Sequence, residues 1–423
     1  MKSVGIYTLG CKVNTYESEF IMNDLKNNGY EIKDFDDICD VYIINTCTVT
    51  NTSDSKSRKM INQAIRKNPN ACIVAMGCFI ATNMDTKIDG LDIAIGNKDK
   101  NKVVELLNTY FERKETIIDS YSGRLSEFED MYISSFPGRT RAFVKIQDGC
   151  DNFCSYCIIP FARGKCRSKE FNKVIDEISD LVKNGYREVV LTGIHTGHYG
   201  NDLDKSFADL LRELVKIDGL DRLRISSIET TELNDDVLDV LRNSKVIVNH
   251  LHIPLQAGSN EILKAMNRKY DLDFFFNKIS EIRNIRPDIA ISTDVIVGFP
   301  GESEELFQTT MDTCRKLEFS KIHVFPYSER RGTKSSYMDG KLDNATKKDR
   351  ARRLIELSKE LEINYMKKFI GSDVEVLIEE YKDGCSFGHT GNFLYVKINH
   401  ECKHNDMVTV KVKDIDYPYV IAD

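Results

Sequence analysis

Gly149-Cys150-Asp151-Asn152-Phe153-Cys154-Ser155-Tyr156-Cys157 is the stretch on which the reading of this chain turns. Its three cysteines stand at a C-x3-C-x2-C spacing, directly after the apolar run Phe143-Val144-Lys145-Ile146. A tight loop with three thiolates can hold three irons of a [4Fe–4S] cluster, leaving the fourth iron without a protein ligand. An electron-transfer ferredoxin closes that position with a fourth Cys. An open iron can instead bind a small molecule and reduce it. Zinc also accepts short Cys loops, with Cys166 as the fourth ligand here, so a zinc site stays open at this point.

Working outward, 423 residues suit two or three domains. Charged residues are 30% and hydrophobic ones 41%, the mixture of a soluble globular chain. A formal net charge of -7 does not announce a nucleic-acid partner. No apolar run approaches a membrane span, and Met1-Lys2-Ser3-Val4 has no signal-peptide pattern, so no membrane association and a cytoplasmic location are expected. Twelve cysteines without an extracellular address point to metal chemistry in a reducing compartment.

The N-terminal third repeats the theme. Val4–Leu9, Val41–Ile44, Ile73–Met76 and Ile93–Ile95 read as buried strands alternating with helices, which predicts a parallel sheet. Ligands of open parallel sheets sit beyond the carboxyl ends of the strands. Cys11, Cys47 and Cys78 each follow such an end, so three residues distant in sequence would meet on one edge. They are again three thiolates with no obvious fourth, which suggests a second cluster. Cys39 and Cys72 read instead as ordinary buried cysteines.

Thr8-Leu9-Gly10-Cys11-Lys12-Val13-Asn14, Asn45-Thr46-Cys47-Thr48-Val49-Thr50 and Gly77-Cys78, together with the 150–157 loop, resemble the radical S-adenosylmethionine (SAM) methylthiotransferases over nearly the whole chain. Gly10–Asn14 is similar to the MtaB type, which modifies N6-threonylcarbamoyladenosine in tRNA. The isopentenyl-adenosine branch carries Gln-Met where this chain has Lys12-Val13, and the ribosomal-protein aspartate branch has Lys directly before Asn. The resemblance implies two [4Fe–4S] clusters, on Cys150, Cys154 and Cys157 and on Cys11, Cys47 and Cys78. It implies SAM as radical source and methyl donor, with a methylthio group placed at the adenine 2-position at tRNA position 37. It further implies a sulfide or persulfide sulfur donor and a low-potential electron donor.

From Arg139 to Ser328 six strand-plus-helix units can be counted, with strands at Phe143–Gln147, Glu188–Ile194, Arg222–Ile228, Leu251–Gln256, Ile289–Val297 and Lys321–Tyr327. They match the partial (βα)6 barrel of radical SAM enzymes, with the Cys loop after the first strand at the functional end. Alternation turns His250, His252, Gln256, Ser292 and Asp294 toward the lumen. Gly193, Ser226, Ser227 and Glu229 stand where the family binds SAM. Arg139, Arg141, Arg163, Lys165, Arg167 and Lys169 would form a basic mouth for phosphates.

After Gly371 the pattern alternates, with Val374–Ile378, Phe393–Ile398 and Met407–Val412 as strands and Gly384, Gly388 and Gly391 as turns. A small β-barrel is expected, similar to the TRAM domain. Residues 367–423 hold 7 Lys or Arg against 10 Asp or Glu, so RNA contact there would rely on stacking by Phe387, Phe393 and Tyr395. The fold expected is α/β: an N-terminal parallel α/β domain at 1–115, a linker at 116–137, the radical SAM barrel at 138–366 and a TRAM-like RNA-binding domain at 367–423. An iron–sulfur electron carrier or RNA-binding protein without transferase activity is the alternative from another class.

Overall fold

The computed structural model describes residues 1–83, 88–119 and 127–423. Val41–Thr46 and Cys72–Gly77 are buried along their whole length. Their near-continuous apolar sequences are those of central strands covered on both faces. They lie in a six-stranded, all-parallel sheet with Ser3–Thr8 and Ile93–Ile95 beside them. Glu31–Lys33 and Ile117–Asp119 form its edges. Each edge strand is three residues long, too short for a periodic signal.

Two three-stranded parallel sheets make the centre of the molecule. One orders Arg222–Ile225, Glu188–Thr192 and Arg141–Lys145; the other orders His250–His252, Ala290–Val297 and Lys321–Pro326. Parallel bridges Leu223↔Ile247 and Ser227↔His252 join them, so six strands form one open barrel. The odd residues Leu251, Ile253 and Leu255 are fully buried, and His250, His252, Ser292 and Asp294 line a cavity, as the alternation predicts. Gln256 does not share that lining; it takes a left-handed φ of 65° past the end of its strand. The stretch 116–137 carries the edge strand Ile117–Asp119 and then buries Met131, Ile133 and Phe136 in the barrel core; its residues 120–126 lie outside the described residues.

The C-terminal segment closes into a five-stranded barrel ordered Asp373–Lys382, Cys385–Thr390, Tyr395–Ile398, Tyr419–Ala422 and Met407–Asp416. Cys385–Thr390 is a strand where a glycine-punctuated turn was expected. A Cβ on Gly388 would fall 2.1 Å from the Leu377 carbonyl oxygen, so this glycine permits close strand approach rather than a turn. Among the described residues no helix is long and apolar enough to cross a membrane.

A buried ionic network fastens the N-terminal sheet to the barrel. Glu17, on helix Lys12–Asn27, is paired with Lys100, with Lys145 at 2.9 Å and with Arg163 at 3.0 Å. Asp148 meets Lys145 at 2.9 Å, Arg163 at 3.0 Å and Arg167 at 3.1 Å. Burial alone would raise both carboxyls, but the Arg163 charge with its lysine and arginine neighbours holds each well below the usual range. The expected basic mouth is therefore corrected. Arg163, Arg167 and Lys169 are internal, with Lys169 paired to Glu177 at 2.5 Å, and these three cannot meet phosphate.

Glu17→Gln removes one partner from these buried cations, and a loss of about 3–5 kcal/mol is expected, read as a lower urea midpoint. A loss under about 1 kcal/mol would contradict the network's role. Because both carboxyls titrate low in the folded chain, their stabilisation is complete above about pH 4 and is lost as pH falls toward the folded values. The same urea series at falling pH checks that sign.

Candidate active site

The 150–157 loop is held by its backbone. Gly149 takes φ 75°, and a Cβ there would lie 1.9 Å from the Lys165 carbonyl oxygen, so only glycine fits. The Cys150 amide donates to the Gly164 carbonyl at 3.1 Å, and the Ser155 amide to Met266 at 2.9 Å. The Cys157 amide donates back to Cys154 at 2.9 Å, and the Ser335 amide donates to the Ser155 carbonyl at 2.8 Å. All three cysteines are half-buried and free.

Each thiol has a distinct environment. Arg268 Nη1 lies 3.4 Å from Cys154 Sγ, and Arg268 also pairs with Glu229. His195 Nδ1 lies 3.6 Å from Cys150 Sγ, while the other ring nitrogen faces the Glu232 carboxylate. Burial pushes Cys150 up, with Cys157 and Cys154 adding to it; burial pushes Cys157 up to about 12, with Cys154 adding to it. Cys154 crowds both of these thiols, and three thiols so close form a donor set that a multivalent iron centre would deprotonate and neutralise. The donor set fits the group. Gln147 Nε2 donates to Cys166 Sγ at 2.9 Å, so that thiol has a protein partner of its own.

Cys11, Cys47 and Cys78 also come together. Cys11 is the N-cap of helix Lys12–Asn27, Cys47 follows the strand end at Thr46, and Cys78 opens the short helix Cys78–Thr82. The first strand stops at Thr8, so Cys11 stands three residues past its end. Burial raises Cys47, with Cys78 and then Cys11 adding to it. Gly77, at φ 100°, would set a Cβ 2.7 Å from the Thr46 carbonyl, so a glycine is needed for the chain to turn Cys78 inward. Cys78 Sγ lies 3.3 Å from Arg163 Nε and 3.5 Å from Asn97 Nδ2. This set, too, fits a centre with three thiolate ligands.

The two sets are neighbours. Helix Ile159–Arg163 begins two residues after Cys157 and packs on helix Cys78–Thr82. Arg163 thus reaches from one cysteine loop into the other. A cavity of about 820 Å³ opens beside the second set, lined by Cys11 and Lys12 from the N-terminal domain and by Gly193, Ser226 and Ser227 from the barrel. The C-terminal barrel supplies the facing wall with His389, Phe393 and Tyr395. Phe393 packs over the Arg224 guanidinium at 3.9 Å, and Tyr395 stacks on His389 at 4.6 Å. Phe387 contacts Tyr395 and Tyr419 and is not part of the lining. Glu229 is also off the lining, turned to Arg268.

Sequence pattern missed His195, Arg268 and Glu232. The strand-end reading stopped at Ile194, one residue short of His195, and the Arg268 contact crosses 114 positions in the chain. Arg163 was legible as a charge but not as a buried one.

Comparison with known proteins is consistent with this geometry. The radical SAM superfamily model matches residues 144–314, and a model described as uncharacterized protein family UPF0004 matches residues 3–95. The chain is 44% identical to threonylcarbamoyladenosine tRNA methylthiotransferase MtaB of Bacillus subtilis, over 99% of this chain and 95% of that one. It is 38% identical to MtaB of Thermotoga maritima, over 100% and 97%. It is 37% identical to tRNA-2-methylthio-N(6)-dimethylallyladenosine synthase of Carboxydothermus hydrogenoformans, over 89% and 88%. Among solved structures, the radical SAM methyltransferase TsrM from Kitasatospora setae shares the fold with TM-score 0.56 at 15% identity, over 77% of this chain and 73% of that one.

Anaerobically reconstituted protein is expected to hold about eight irons, and the triple Cys150, Cys154 and Cys157 to Ala variant about four. Iron retained in full by that variant would show that the loop is not a cluster site.

Proposed function

The chain belongs to the radical SAM methylthiotransferases of the MtaB type, and from that membership we propose its substrate and the roles of its residues. It is an enzyme that methylthiolates tRNA, and its cofactors are two [4Fe–4S] clusters and SAM. The substrate we assign is N6-threonylcarbamoyladenosine at tRNA position 37, modified at the adenine 2-position. The observation that carries this reading is the pair of incomplete cysteine sets, with Arg163 reaching from the segment after Cys157 to Cys78, and a cavity that Cys11 lines.

The 2-position bears an unactivated aromatic C–H, and no side-chain base removes that proton readily. When bound, the clusters supply the electron that cleaves SAM and the sulfur for the new bond, and a second SAM supplies the methyl group. Cys150, Cys154 and Cys157 would hold the first cluster, and Cys11, Cys47 and Cys78 the second. Arg268 fixes Cys154 and Glu229 together, and the His195–Glu232 pair sets an imidazole beside Cys150. Gly193, Ser226 and Ser227 line the cavity and are the residues we assign to SAM, and the missing side chain of Gly193 makes room for Gln147 packed against it.

The module at 367–423 would help to hold tRNA against the barrel domain at 138–366 and the cluster domain at 1–115. Phe393 and Tyr395 face the cavity, and exposed Arg331 and Lys334 remain open to phosphates. A sulfide or persulfide donor, a low-potential electron donor and a cytoplasmic site of action complete the reading.

Nucleosides of tRNA from cells with and without this protein are expected to differ in the methylthiolated form of threonylcarbamoyladenosine by mass spectrometry. Loss of the methylthiolated dimethylallyl nucleoside instead would overturn the substrate assignment. Cys47→Ala protein is expected to keep cleaving SAM to 5′-deoxyadenosine while methylthiolation falls to background. Full methylthiolation by that variant would remove the second cysteine set from the chemistry.

A further inference from the structure

Lys12 stands apart from the other charges of the cavity. Asp294 is paired with His252 at 3.3 Å, Glu362 with Lys321 at 3.0 Å, and His389 with Glu379 at 3.0 Å. The Lys12 ammonium has no hydrogen bond or ion pair among the described residues, although it lines the same cavity. Its neighbour on the wall is Arg224, whose charge bears directly on it. Arg224 is 1% exposed. It is held by Glu188 at 2.8 Å and by the Gly391 carbonyl at 3.1 Å, and its Nη2 has no partner.

A backbone feature adds to these cations. Lys12 is the first residue of a 16-residue helix with no side-chain cap, and Gly10 to Val13 all line the cavity. The positive end of the helix dipole and its unpaired N–H groups therefore face the same space. An unpaired ammonium, a buried guanidinium with a spare donor and a helix N-terminus are the parts of an anion site.

We infer that Lys12 and Arg224, at the uncapped end of helix Lys12–Asn27, form the subsite for the carboxylate of the threonylcarbamoyl group and thereby select that substrate. The inference rests on the substrate reading above. A threonylcarbamoyl substituent ends in an amino-acid carboxylate, whereas a dimethylallyl substituent is a hydrocarbon with nothing to offer two cations. An uncharged group at this wall would desolvate the Lys12 ammonium and give it no counter-charge, while Arg224 keeps only its Glu188 counter-charge, which disfavours the wrong substrate.

The test uses anticodon stem-loop RNAs carrying threonylcarbamoyladenosine, its threonine primary amide, or dimethylallyladenosine. Wild-type protein is expected to prefer the carboxylate RNA to the amide RNA by roughly 10- to 100-fold in Kd and KM, with kcat little changed. Lys12→Met should bring that ratio close to one, and Lys12→Arg should retain it. Arg224→Gln, on a different element, should also reduce it. Kd ratios from fluorescence anisotropy need no turnover, so they remain readable in a variant with altered iron content. A carboxylate preference unchanged in both Lys12→Met and Arg224→Gln overturns the subsite while leaving the substrate reading intact. A wild-type enzyme that modifies the dimethylallyl RNA and ignores the threonylcarbamoyl RNA overturns both.

Discussion

One buried guanidinium holds the working parts of this protein in register. Arg163 donates from Nη1 to Glu17 and Asp148, each at 3.0 Å, from Nη2 to Asn14 at 2.7 Å, and from Nε to Cys78 Sγ at 3.3 Å. Its partners come from the first helix, the barrel and the second cysteine set, and it lies six residues after Cys157. A lysine could not serve, since an ammonium lacks the planar fork that meets four acceptors in fixed directions. Removing so many charges from water is unfavourable unless every one is matched. Here Lys100, Lys145, Arg163 and Arg167 surround Glu17 and Asp148, with the Glu129 carboxyl close to Lys145 and Lys100. The Arg163 guanidinium lies next to Cys78, where thiolate charge is needed.

The cavity is a second consequence of the same docking, because no part of the chain encloses it alone. The N-terminal sheet supplies a helix end, the open barrel supplies polar strand ends, and the C-terminal barrel closes the far side with aromatic rings. Arg222 fastens that last wall through the His389 and Glu375 carbonyls at 2.9 and 2.8 Å. Arg141 adds an ion pair to Glu379 at 3.1 Å. The acidic C-terminal module is thus joined to the barrel by arginines, which accounts for part of its negative charge without reference to RNA.

Much of this was legible in the sequence because its signals are local or periodic. The C-x3-C-x2-C loop, the cysteines near strand ends and the alternation from His250 to Leu255 each mark a position within a few residues. What was not legible depends on contacts across long separations. Arg163 meets Glu17 across 146 positions and Arg268 meets Cys154 across 114, and no pattern in either segment marks the partner. A charge run read as a solvated face cannot be told from one turned inward until its counter-charges are placed. Gly388 misled for a similar reason, since its role is set by the Leu377 carbonyl on the neighbouring strand.

Hydrogen–deuterium exchange of Arg163→Met protein measures the central claim most directly. If Arg163 holds the two halves together, exchange should rise in concert in helix Lys12–Asn27, strand Arg141–Lys145 and helix Cys78–Thr82. A rise confined to Ile159–Arg163, with the other three segments as protected as in the wild type, would contradict it.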